Sequence, residues 1–192
     1  LLSVTQSTIT DDYLGPVTPK DVIYQIITDR FYDGDPTNNI PAGFDPDLFD
    51  GTGTDIRLYQ GGDWQGIIDQ IPYLKSMGIT AVWISAPYAN RDQATHDGWT
   101  SYHGYHARNY FTTNKHFGTM AEFDELQQEL TDAGIKLVID FVTNHSSDSR
   151  YDGKIYEPDR NSAGEFVFDS AGEPVDYNND GTTAVSYTHL TL

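Results

Sequence analysis

Residues 136–147 read KLVIDFVTNHSS. Leu137 to Val142 is an apolar run of strand length, interrupted only by Asp140. A polar burst of Thr143, Asn144, His145, Ser146 and Ser147 follows directly. Strands that are apolar almost throughout belong to parallel sheets covered by helices on both faces. A carboxylate near the end of such a strand must be paired or hydrogen-bonded, because an unpaired buried charge is costly.

Upstream, Thr119 to Ala133 (TMAEFDELQQELTDA) places Met120, Phe123, Leu126 and Leu130 on one face of an amphipathic helix, which Gly134 caps. Before it, Ile79 to Ala86 (ITAVWISA) predicts a second buried strand. Asp63 to Met77 (DWQGIIDQIPYLKSM) opens on an Asp suited to an N-cap and spaces Trp64, Ile67, Ile68, Ile71 and Leu74 for a helix. Pro72 predicts a kink or a boundary there, and Gly78 a stop. Asp21 to Arg30 (DVIYQIITDR) predicts the first buried strand. Two polar segments, Phe31 to Gly62 and Pro87 to about Lys115, predict long loops, which in a compact domain are usually functional or organised by metal.

The order is therefore strand, loop, helix, strand, loop, helix, strand, the pattern of an α/β fold with a parallel sheet. An open doubly wound sheet and a (β/α)₈ barrel both fit. Each strand runs into an elaborate polar segment, and barrels build their sites from the loops at the carboxyl ends of their strands. No Gly-rich phosphate loop follows the first strand, which weakens a nucleotide-binding reading.

Composition narrows the function classes. The 192 residues include 29 acids against 11 Lys and Arg, a net charge of −18. Such a chain has no basic footprint for nucleic-acid phosphates. No stretch approaches the apolar length of a membrane span. There are no cysteines, so disulfides, thiolate nucleophiles and Cys-type zinc sites are excluded. The acids are spread along the chain and predict a solvated surface suited to high salt, with a few set aside for metal. The chain opens Leu1-Leu2 without Met, so the expected N-terminus lies upstream, and LLSVTQ is a candidate stub of a signal peptide.

Five stretches, DVIYQIITDRF, GGDWQGI, GITAVWIS, SYHGYHARNY and DFVTNHSS, occur in this order over residues 21–150. Together they resemble the N-terminal part of the α-amylase superfamily, glycoside hydrolase family 13, and within it the cyclodextrin glucanotransferases and their sister amylases. The resemblance implies a (β/α)₈ barrel with a domain inserted after the third strand. Its first three strands would be Val22–Thr28, Ala81–Ile84 and Leu137–Phe141. Residues 1–20 would be a lead-in, 21–143 a partial catalytic barrel and 144–181 the start of the inserted domain. From about Thr182 to Leu192 the sequence (TTAVSYTHLTL) reads as a non-native tail, AVSYTHLTL being the translation of a sequencing adapter joined to an interrupted frame.

The same resemblance assigns candidate site residues. His103, Tyr105 and His145 would bind substrate, and Asp140 would orient the site rather than act as nucleophile, its partner an Arg from a fourth strand. A tyrosine ring suits the apolar face of a pyranose. His106 stands where these relatives generally carry Trp, and Arg108 is a candidate ion-pair partner. Asn144 would ligate one calcium, and Asp33, Asp35, Asn38, Asn39, Gly61 (through its carbonyl) and Asp63 a second. Calcium takes about six to eight oxygens, for which carboxylates, amides and carbonyls serve. Relatives often close this loop with a disulfide at positions matching Gly53 and Gln60, and neither is Cys here.

By resemblance the complete protein would be a secreted, monomeric, calcium-binding enzyme cleaving α-1,4 bonds of starch and maltodextrin with retention. Such retention needs a nucleophile and an acid/base whose carboxyl groups lie about 5–5.5 Å apart. These would follow the fourth and fifth strands, and a transition-state-stabilising Asp the seventh. All three are expected beyond Leu192, so no catalytic residue is expected in this chain. Two other readings stay open: a non-catalytic glucan-binding relative, and an unrelated α/β binding module with acidic loops. Raising NaCl from about 0.05 to about 1 M should raise the melting temperature by circular dichroism as self-repulsion is screened; an unchanged fold in low salt sinks the high-salt reading.

Overall fold

The computed structural model describes residues 14–143 except His96. Asn144, His145, the expected inserted domain and the tail from Thr182 to Leu192 lie outside the described residues. In chain order the elements are β1 (Ile23–Ile26), α1 (Trp64–Asp69), α2 (Ile71–Ser76), β2 (Ala81–Ile84), β3 (Tyr88–Asn90), β4 (Ala107–Thr113), α3 (Met120–Asp132) and β5 (Lys136–Ile139), with 3-10 turns at Thr28–Arg30 and Pro46–Leu48. The fold is α/β. β1, β2 and β5 form one parallel sheet in sequence order, with Ile23 opposite Ala81 and Ala81 opposite Lys136.

The helices form where the spacing predicts them. α1 starts because Asp63 accepts from the Gly66 N–H at 2.6 Å. It ends one residue before α2, and Pro72 sits in the first turn of α2, where its missing N–H costs nothing. α3 carries a complete capping box between Thr119 and Glu122 and buries Phe123, Leu126 and Leu130. These side chains meet Ile67 and Leu74 from the first two helices and Ile26, Val82 and Ile84 from the sheet in one core.

Two expectations need correction. The strands are not buried on both faces among the described residues: Ile23, Ile27 and Ile139 are 51%, 45% and 42% exposed. Ile23 and Ile27 lie on the side away from Ile26, Val82 and Ile84, which face the helices, whereas Ile139 lies beside Ile84 at the end of the edge strand β5. The segment from Pro87 to Lys115 is not all loop, because β3 and β4 pair as an antiparallel hairpin. Its first strand has three residues and its register shifts around Ala89, so no alternation announced it.

Glycines in the GGDWQG stretch permit close backbone approach. A Cβ on Gly62 would collide with the Thr28 carbonyl, and one on Gly66 with the Tyr32 carbonyl. This stretch therefore lies directly on the end of β1 and the loop beyond it.

The lead-in is tied to the far strand. Lys136 Nζ donates to Asp21 Oδ2 at 2.8 Å and to the Pro16 carbonyl at 2.8 Å, while Thr80 Oγ1 donates to the other Asp21 oxygen at 2.9 Å. Lys136, with the Thr18 N–H and the Thr80 hydroxyl, holds the Asp21 carboxyl far below the usual range. A carboxyl lowered on folding contributes stability above its unfolded pKa, about 4, and loses it as pH falls further. Asp21→Asn should therefore lower the urea midpoint at pH 7, with the deficit shrinking below about pH 4.

Candidate functional site

The carboxyl ends of the three parallel strands converge on one polar region. Beyond β1, the Arg30 guanidinium lies 3.8 Å from the centre of the Tyr102 ring. Beyond β2, the segment from Ser101 to His106 folds back on the strand end. Gly104 allows this: its φ is +85°, and a Cβ there would strike the Ala86 carbonyl. The flanking His103 and Tyr105 are thereby held against the end of β2. Beyond β5, Asp140 Oδ2 accepts from the Tyr105 hydroxyl at 2.9 Å.

His103 and Tyr105 are brought together as a stacked pair, with ring centres 5.3 Å apart and planes 27° from parallel. The Tyr105 N–H donates to His103 Nδ1 at 2.9 Å. Burial, helped by the nearby His106, Arg91 and Arg30 charges, pushes His103 down to about 4, so the ring is neutral at pH 7. With Nδ1 accepting, the single proton of the neutral ring resides on Nε2. His103 is thus a hydrogen-bond donor at Nε2. Burial and the Asp140 carboxylate raise the Tyr105 hydroxyl, which stays protonated.

His106 is a framework residue: Ser101 Oγ lies 3.0 Å from its Nδ1, and its N–H donates to Asn90 Oδ1 at 2.9 Å. Arg108 pairs with Asp92 at 2.9 Å. Sequence reasoning missed the ring cluster of Tyr88, Tyr110 and Phe141 beside Asp140, with centres 5.1–5.9 Å apart. It also missed Arg30 on Tyr102. The signal available was the aromatic density of SYHGYHARNYF, but ring-to-ring contact needs the tertiary fold.

The candidate metal loop also assembles. Asp63 is buried; its Oδ1 accepts from the Gly34 and Gly66 N–H groups, and its Oδ2 from the Asp35 N–H at 2.8 Å and Asn38 Nδ2 at 3.2 Å. Burial raises the Asp63 carboxyl against these donors. Asn39 Nδ2 donates to Asp33 Oδ2 at 2.8 Å. A Cβ on Gly61 would lie 2.5 Å from Asn39 Oδ1 and 2.9 Å from Asp33 Oδ2, so these three residues are in contact. The buried side-chain oxygens of Asn38 and Asn39 accept no hydrogen bond, a state that costs about 1–3 kcal/mol per group unless a further partner is bound. Asp35 is turned aside: its Oδ1 accepts from the Thr37 N–H and hydroxyl. Among the described residues no group of three or more His, Asp or Glu is placed to hold a metal, so any cation here would rest on a mixed set of carboxylates, amides and a carbonyl.

At the two positions where the resemblance implies a disulfide, Gln60 Oε1 accepts from the Gly53 N–H at 2.7 Å, and Gln60 Nε2 donates to Asp50 Oδ2 and the Asp55 carbonyl. A polar clasp joins the same two positions.

A ring pushed down on burial contributes stability above the ordinary His pKa, about 6.5, and loses it as pH falls towards the folded value. His103 should therefore titrate near pH 4 in ¹H–¹⁵N NMR, with Nε2 protonated at pH 7; a midpoint above 6 would contradict the accepting role of Nδ1.

The family model "Alpha amylase, catalytic domain" matches residues 25–180. The chain is 52% identical over 130 residues to the cyclomaltodextrin glucanotransferase of Bacillus sp. (strain 1-1), covering 67% of this chain and 18% of that protein. It is 53% identical over 132 residues to that of Paenibacillus macerans, covering 66% and 18%. Among solved structures it is similar to the γ-type glucanotransferase of alkalophilic Bacillus clarkii (TM-score 0.63, 50% identity, 67% of this chain and 19% of that one). It is also similar to an Anoxybacillus α-amylase (TM-score 0.55, 37% identity, 66% and 25%). The chain spans about a fifth of the length of the curated relatives it matches. With the ordered motifs, the parallel sheet and this match over most of its length, the chain belongs to the α-amylase catalytic-domain family.

Proposed function

We propose that this chain forms the first part of the catalytic barrel, residues 21–143, of a secreted enzyme acting on α-1,4-glucans such as starch and maltodextrin, with retention of configuration. The support for this reading is the Tyr105–Asp140 hydrogen bond beside His103, at the carboxyl ends of parallel strands. Tyr105 offers a ring face to a pyranose while its hydroxyl is fixed by Asp140. His103 donates from Nε2 to a sugar hydroxyl. Asp140 holds Tyr105 in place and takes no part in bond cleavage. By the resemblance His145 would be a sugar donor and Asn144 a metal ligand, at the start of an inserted domain, residues 144–181, outside the described residues.

By the resemblance the nucleophile and the acid/base would follow the fourth and fifth strands of the same barrel, which the three parallel strands described here do not include. The residues around Asp63 fit calcium, since two buried amide oxygens lack a donor. Asp33, Asn38, Asn39, Asp63 and the Gly61 carbonyl would hold it, with Asp35 if its side chain turns in. The ion would supply a multivalent cross-link between the loop and the start of α1.

Sequencing outward from both ends of the gene and expressing the complete frame tests the proposal. Expected are an Asp and a Glu after the fourth and fifth strands, and release of linear or cyclic maltodextrins from starch. In that enzyme Tyr105→Ala should lower kcat/KM at least tenfold, about 1.4 kcal/mol. A frame without the two carboxyl residues, or an enzyme indifferent to Tyr105→Ala, overturns it.

A further inference from the structure

The metal loop is assembled from two segments distant in sequence, one ending at Asn39 and one running from Gly61 to Asp63. The Asp63 N–H on the Tyr32 carbonyl and the Asp63 carboxylate already tie the two together. The loop between β4 and α3, residues 114–118, touches the first at Asn39 and the residue directly after the second, Trp64. His116 Nδ1 lies 3.1 Å from the Asn39 carbonyl, and the Phe117 carbonyl accepts from the Trp64 N–H at 2.9 Å. The first contact steadies the residue whose side-chain oxygen lacks a donor; the second steadies the residue following Asp63.

His116 is built in firmly. Its ring stacks on Tyr59 at 3.8 Å with planes 10° apart and meets the edge of Phe44 at 4.2 Å. The His116 N–H donates to Asn114 Oδ1, and Asn114 Nδ2 donates to the Tyr59 hydroxyl at 3.2 Å. A carbonyl can only accept, so Nδ1 carries the hydrogen.

We infer that His116 is a positioning residue for calcium: its Nδ1–H fixes the Asn39 backbone and so presents the Asn39 side-chain oxygen to the ion. This rests on the calcium reading above. Residues that orient metal ligands typically change affinity about 10–100-fold when removed. Phe at 116 keeps a ring between Tyr59 and Phe44 and removes only the donor. Gln keeps an N–H able to reach the carbonyl.

Titrating calcium chloride into the chain by isothermal calorimetry, with magnesium chloride as control, decides it. His116→Phe should raise the calcium Kd about tenfold, and His116→Gln should stay within about threefold of the wild type. Wild-type binding with an unchanged Kd for His116→Phe overturns the positioning role alone. No calcium binding by the wild type overturns the metal reading itself. If the Phe variant does not fold, the wild type still decides by NMR. Saturating calcium should shift the His116 Nδ1 resonance, and an unmoved resonance overturns the inference.

Discussion

The buried carboxylate of Asp63 is the constraint on which this partial barrel depends. Its two oxygens receive four donors: the first-turn Gly66 N–H of α1, the Gly34 and Asp35 N–H groups, and the Asn38 amide. One side chain thus starts a helix and folds a loop of roughly thirty residues back against it. The hydrogen bonds offset desolvation only if all of them form together, so loop and helix order as one unit.

That unit needs backbone to come closer than side chains allow. Gly62 and Gly66 lie against the Thr28 and Tyr32 carbonyls, and Gly104 against that of Ala86. In each case a methyl group would occupy the place of a carbonyl oxygen. The glycines therefore set how near the polar loops lie to the strand ends, and so whether Tyr105 reaches Asp140. Gln60 clasps Gly53 differently, through a side-chain hydrogen bond with open space around the glycine.

Much of the architecture was legible in local pattern. The extent of α3 followed from the spacing of Met120, Phe123, Leu126 and Leu130 and the stop at Gly134, because amphipathicity and capping act within a few residues. Pro72 marked the break between α1 and α2. The β3–β4 hairpin was not legible, since its pairing is irregular and far apart in sequence. Cover on both faces of the strands is not seen among the described residues, because an apolar run states what a strand can bury and not which neighbours cover it.

For the site, the sequence by itself determined the residue types and their order: the Asp and Asn cluster, the His-Gly-Tyr segment and an Asp at the end of an apolar strand. Through the motifs it also marked His103, Tyr105 and His145 for substrate and Asp140 as an orienting residue, without joining Asp140 to Tyr105. Only the tertiary structure decided their partners. It bonded Tyr105 to Asp140, set the proton of His103 on Nε2, turned Asp35 to its own loop and left the Asn38 and Asn39 oxygens without donors. The reason is physical: propensity, capping and periodicity are short-range, whereas hydrogen-bond satisfaction and desolvation depend on every group that folding brings within a few ångströms.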